Sequence, residues 1–104
     1  MDDRSRSVFA ISVAADLASM QIQNLRVYER RGLVTPARTA GGTRRYSQDD
    51  VQVLLRIGSL LGQGLNLAGV AQVLALEEEV RSLRRRLDDP GPDHGGRAAP
   101  RGAP

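Results

Sequence analysis

Residues Gln21–Ser47 read QIQNLRVYERRGLVTPARTAGGTRRYS, and the fold of the chain turns on how this stretch divides. Ile22 and Leu25, with Glu29 one turn on, are spaced for one helical face, and Gly32 stands where a left-handed residue would stop a helix. Pro36 then blocks helical continuation. Beyond it, Gly41 and Gly42 free the backbone for a tight turn, and β-favouring Thr43 and Tyr46 flank two adjacent arginines. The pattern predicts a short hairpin wing with a basic tip, and such a tip wants an anion. Six arginines (Arg26, Arg30, Arg31, Arg38, Arg44 and Arg45) stand here against one acid, Glu29, a local net charge of +5 in a chain whose formal total is +3.

Upstream, ISVAADLAS predicts a short helix capped by Ser12 and beginning at Val13, with Asp16 near the positive end of its dipole. Two short helices joined by a tight turn therefore precede the wing. Downstream, Ser47 opens SQDD, a capping-box variant with Asp50 three residues on, leading into a third helix that ends near Gly64. Its core face is expected to carry Val51, Leu54, Leu55, Gly58 and Leu61. Asn66 can cap a fourth helix, in which Val73, Leu76, Val80, Leu83 and Leu87 alternate steps of three and four. That heptad seam is about two heptads long, shorter than a free-standing coiled coil needs. Glu77–Glu79 precede Arg84–Arg86 along it, an order that suits opposite-sign pairs within one helix or between antiparallel partners, or simply a solvated face.

Composition narrows the chemistry. The 104 residues contain no cysteine and one histidine, His94, so thiolate metal sites, redox switches and His-based catalysis lack their groups, and neither cofactor nor enzymatic step is expected. No run of about 18 apolar residues is present, as a membrane span would need, and MDDRSRS lacks the order of a signal peptide, so a cytoplasmic location is expected. With Phe9, Tyr28 and Tyr46 the only aromatics, the core must be aliphatic and small. From Asp88 the chain reads DDPGPDHGGRAAPRGAP, a composition expected to form a disordered tail over 88–104. All fifteen basic residues are arginine, a bias that a GC-rich genome explains and that also suits bidentate phosphate or guanine contacts.

The succession LRVYERRGLVTPAR and GGTRRYS resembles the signature of the MerR family of transcriptional regulators: Leu-Arg-x-Tyr-Glu, Gly-Leu, a Pro and an Arg, then Gly-Gly-x-Arg-x-Tyr-Ser. The likeness runs from Ile11 to about Leu76. It implies a mainly α fold: an N-terminal arm (1–10), a winged helix-turn-helix DNA-binding domain with a β-hairpin wing (11–72) and a dimerisation helix (73–87). FAISVAADLASM, RRYS and GLNLAGV are further similar to the family's small heat-shock repressors of actinobacteria, the HspR group, which lack a ligand domain. Ser19, Gln21 and Asn24 depart from the common pattern, where Gly, Ser or Thr, and Thr are frequent.

Residue roles follow from chemistry and from the resemblance together. The second helix of a helix-turn-helix offers its N-terminal residues to base edges, and the amides of Gln21, Gln23 and Asn24 could pair with adenine or form a solvated face. The resemblance places Arg26 and the Tyr28 hydroxyl on flanking phosphates, with partial burial of the Tyr28 ring compatible with that role. Arg44 and Arg45 alternate along a strand and face opposite ways, and the resemblance gives the principal backbone or minor-groove contact to Arg44. Arg45 and Arg38 either reach neighbouring phosphates or stand as exposed arginines. Tyr46 belongs to the candidate surface, although packing at the wing base is the stronger reading for it.

The resulting expectation is a sequence-specific homodimeric repressor on an inverted-repeat operator in double-stranded DNA. The resemblance implies heat-shock or chaperone genes as targets and the chaperone DnaK as co-repressor. Its rivals are a MerR-type activator that distorts its promoter, an architectural DNA-bending protein and an adaptor that does not touch DNA. The charge concentrated between Gln21 and Ser47 counts against the adaptor.

Overall fold

A computed structural model describes residues 5–89. The element order is β1 (Ser7–Phe9), α1 (Ile11–Leu17), α2 (Ile22–Arg30), β2 (Ala37–Arg38), β3 (Arg44–Ser47), α3 (Gln48–Gly62) and α4 (Leu67–Asp88). The fold is mainly α, with a three-stranded antiparallel sheet ordered β1-β3-β2. The described residues fall into two units, one ending at Ala71 and one starting at Gln72.

In the first unit, α1 begins two residues earlier than the Ser12 cap would allow. Its N-cap is Ala10, with no side-chain hydrogen bond, so the Ser12 assignment is corrected. The helix ends in a Schellman closure, with Met20 N–H donating to the Ala15 carbonyl (2.9 Å) and Ser19 N–H to that of Asp16 (3.1 Å). Ser19 is thereby held at φ 56°, a left-handed conformation that costs a side-chain-bearing residue free energy. The same closure ends α2, where Gly32 takes φ 76° without that cost. Gln21 is the N-cap of α2 by backbone position alone.

The wing folds as expected from Pro36 onward. Ala37 pairs with Arg45 and Arg38 with Arg44, and at the turn Gly42 N–H donates to the Thr39 carbonyl (2.9 Å) with Gly42 at φ 89°. The third strand is a departure. Residues 1–10 were expected to be an arm, but Ser7–Phe9 pair with the free edge of β3, Ser7 opposite Ser47 and Phe9 opposite Tyr46, across a register irregularity. Three residues are too few to print an alternating pattern, and their partner lies far along the chain.

Ser47 ends β3 and caps α3. Asp50 N–H donates to Ser47 Oγ (2.9 Å) and Ser47 N–H to Asp50 Oδ2 (2.8 Å), a full capping box. The buried face of α3 is Val51, Leu54, Ile57 and Leu60; Leu55, expected inside, is exposed, and Gly58 and Leu61 are half-buried. These residues join Ala14, Ala15, Ala18, Leu25, Tyr28, Val34, Tyr46 and Val70 in a core that is aliphatic apart from the two tyrosines. Asn66 Oδ1 accepts from Gly69 N–H (2.8 Å) at the start of α4.

In the second unit α4 runs unbroken to Asp88, so helix occupies the first position assigned to the tail; most of that segment, from residue 90, lies outside the described residues. Among the described residues no helix is long and apolar enough to cross a membrane, and no cluster of His, Cys, Asp and Glu could hold a metal.

Candidate nucleic-acid interface

Helix α2 divides its residues sharply. Leu25 and Tyr28 are buried, while Gln21, Gln23, Asn24 and Arg26 are exposed. Because side chains three and four apart share a helical face, the anchors Leu25 and Tyr28 turn Gln23 and Arg26 to the opposite side, while Asn24 lies at the flank and Gln21 is exposed from the N-cap position. Amide and guanidinium groups are thus gathered where a helix can enter a groove.

Glu29, at the other end of α2, ties the wing to this helix. Its Oε2 accepts from an Arg38 terminal nitrogen (2.7 Å), and its Oε1 accepts from Arg44 Nε. The second Arg38 terminal nitrogen donates to the Gly42 carbonyl (2.9 Å), closing the turn. One carboxylate therefore spans β2 and β3 at the point where Arg38 and Arg44 lie opposite each other. Burial pushes the Glu29 carboxyl up, but the hydrogen bond and charge of Arg44, then those of Arg38, outweigh it and hold the group below its ordinary value of 4.5. The Glu29 hydrogen bond holds the Arg44 guanidinium above its ordinary range. Glu29 was legible only as a continuation, one turn on, of the Ile22 and Leu25 face; its being the sole acid in a segment of net charge +5 was the signal available.

Arg44 and Arg38 are accordingly not loose arginines. Their side chains are 28% and 45% exposed, against 19% for Glu29. Arg45 is half-buried and donates to the Arg44 carbonyl (3.2 Å). Tyr28, 6% exposed, has its ring in the core. Tyr46 is corrected: at 0% exposure it is wing-base packing, not contact surface, because its strand position opposite Phe9 turns it inward. Its hydroxyl is buried with no hydrogen-bond partner among the described residues; burial, then the nearby Glu29 carboxylate, pushes it above the ordinary phenol range.

The candidate dimerisation residues lie on α4. Val73 is half-buried, whereas Leu76, Val80, Leu83 and Leu87 are 57%, 44%, 45% and 83% exposed. Glu77, Arg81 and Arg84 join the first three apolar positions in lining a shallow groove. Glu78 accepts from Arg81 (2.9 Å) and Arg85 (3.4 Å) beside them.

Residues 9–77 match the family described as MerR HTH family regulatory protein. The chain belongs to the MerR family. Its relatives are transcriptional regulators rather than enzymes, and the matched residues include α2 and the wing. The chain is 46% identical to a Streptomyces coelicolor protein bearing the name heat shock protein HspR, over 76% of this chain and 53% of that one. It is equally 46% identical to the HTH-type transcriptional regulator GlnR of Bacillus anthracis, over 74% and 60%. The chain thus spans between half and three fifths of the length of these relatives. Among solved structures, a MerR family transcriptional regulator from Bacillus cereus superposes with a TM-score of 0.61 at 28% identity, over 73% of this chain and 61% of the other. HiNmlR, a MerR family regulator lacking the sensor domain and solved bound to promoter DNA, gives 0.60 at 20% identity over 77% and 78%, a likeness of fold alone.

Proposed function

We propose that the chain is a sequence-specific transcriptional repressor in the cytoplasm that binds an inverted-repeat operator as a homodimer and acts on heat-shock or chaperone genes. The observation that carries the DNA reading is the outward set Gln21, Gln23, Asn24 and Arg26, joined through Glu29 to a basic wing. Gln and Asn amides suit adenine edges, and Arg26 and Arg44 suit the flanking phosphates. The exposed row Leu76, Val80, Leu83 and Leu87 supports pairing with a second copy, which places two reading helices on two half-sites. Likeness to HspR supports the heat-shock assignment and DnaK as co-repressor.

The equal identity to GlnR favours a second reading, the same DNA-binding dimer with a different set of target genes. Footprinting across genomic fragments, with and without purified DnaK, separates the two. Protection of an inverted repeat upstream of chaperone genes, strengthened by DnaK, is expected. Protection confined to other promoters overturns the heat-shock assignment, and no protected site overturns sequence-specific binding.

A further inference from the structure

We infer that Glu29 is a positioning residue for DNA recognition: it locks the wing to the base-reading helix, although its own charge opposes DNA. The inference rests on the DNA-binding reading proposed above. Glu29 stands at the C-terminal end of α2, and it is the sole acid between Gln21 and Ser47. A charge with no task there would only repel phosphate. Instead each of its oxygens takes one strand of the wing, Oε2 from Arg38 and Oε1 from Arg44. These bonds reach across 9 and 15 residues of sequence, so they fix the relation between elements that the chain alone leaves adjustable.

The two arginines are used differently. Arg38 commits both terminal nitrogens, one to Glu29 on α2 and one to the Gly42 carbonyl within the wing, and so braces the hairpin against the helix. Arg44 is gripped through Nε, beside its own aliphatic stem. A guanidinium has five donor hydrogens, and the terminal nitrogens of Arg44 are the ones able to meet a phosphate while Glu29 holds the rest of the group in place. A phosphate contact fixed in this way sets the register of the whole domain on the duplex, and register decides which base edges Gln21, Gln23 and Asn24 meet. Glu29 thus contributes to specificity without touching DNA.

Charge and positioning predict opposite signs. The preferred sequence of the wild-type chain is first enriched from a random duplex pool. That duplex and a random one are then titrated with wild type, Glu29→Gln and Glu29→Ala, at a temperature where circular dichroism shows each folded. Glu29→Ala should lower the preference for the enriched duplex by about tenfold or more, while random-duplex affinity holds or rises with the lost negative charge. Glu29→Gln should fall between, because its carbonyl keeps the Arg44 Nε partner while its NH2 group faces the Arg38 donor. If both variants bind both duplexes equally more tightly, Glu29 acts through net charge alone and the inference fails. Equal weakening on both duplexes by these folded variants also overturns it, since affinity then falls with no change of preference. A wild-type chain that enriches no sequence overturns the DNA-binding reading itself, and this inference with it.

Discussion

The charged residues of the wing and those of α4 do different work, although both are rich in Arg and Glu. Around Glu29 the partners lie 9 and 15 residues away, on other elements, and the carboxylate side chain is 19% exposed. In α4 Glu78 bonds Arg81 and Arg85 on its own helix, with side chains 59–65% exposed. Exposed pairs within one helix contribute a few tenths of a kcal/mol each and define no tertiary relation. The apolar residues reverse the comparison: Leu25 and Tyr46 are sealed within the first unit, while Leu76, Val80, Leu83 and Leu87 stand open. Single apolar side chains, Val8, Val13, Leu17 and Leu55, are exposed in the first unit as well, but in the second unit Leu76, Val80, Leu83 and Leu87 follow one another along one helix.

Breaking the α4 row should have the largest effect. Asp at both Val80 and Leu83 puts carboxylates into the proposed dimer contact, where desolvation is costly. Sedimentation should show dissociation to monomer, and operator affinity should fall by about two orders of magnitude as the two half-sites lose their linkage. Helix content in the winged domain should persist. A dimer of normal DNA affinity would show that the row is only a solvated face. Next in size, alanine at whichever of Gln21, Gln23 and Asn24 reads bases should cost about 1 to 3 kcal/mol on the operator and spare random DNA. Arg26→Ala should instead weaken both duplexes alike and flatten the log affinity against log salt plot by roughly 0.9 per phosphate in each subunit. Arg44→Ala should do this and also erode preference, since it removes half of the Glu29 clamp.

Acid titration sharpens the comparison without DNA. The Glu29 carboxyl is held below 4.5 in the folded chain, so the stability it contributes is present above that pH and is lost as pH falls through the folded value. Hydrogen bonds from Arg81, then Arg85, lower Glu78 in the same direction, but exposure screens that pair. Glu29→Gln should therefore flatten the acid limb of thermal stability below pH 4.5, and Glu78→Gln should leave it nearly unchanged. Equal effects would erase the distinction between the two networks. The smallest expected effect is at Ser19. Glycine there removes the left-handed strain while enlarging the unfolded ensemble, for a gain of up to about 1 kcal/mol by calorimetry. A loss would mean that the Ser19 side chain does something beyond tolerating its turn.

What the sequence made legible was local. The Ser47–Asp50 box, the Gly32 stop, the Asn66 cap and the turn at Gly41–Gly42 each depend on residues within four positions, and each was readable from residue type alone. What escaped depends on distance along the chain or on small differences in phase. Strand β1 exists because β3 offers it an edge. In α3 a rotation of a few tens of degrees exchanges Leu55 for Ile57 on the buried face, and a helix with apolar residues at 51, 53, 54, 55, 57, 60 and 61 does not declare its angle. At the candidate site the outward polar residues of α2 could be named. The clamp could not, because the helical pattern gives Glu29 a face and says nothing of two arginines arriving from the wing.

The junction at Ser47 has a mechanical consequence. This residue is at once the last of β3 and the cap of α3, buried to 5% and bonded reciprocally to Asp50, so strand and helix meet with no spare residue between them. A hinge needs slack, and here there is none. Any tilt of the wing must pass directly to α3, a rod of 15 residues and about 22 Å. Because Val51, Leu54, Ile57 and Leu60 hold that rod in the core, the wing cannot turn about Ser47 without disturbing the packing beneath it.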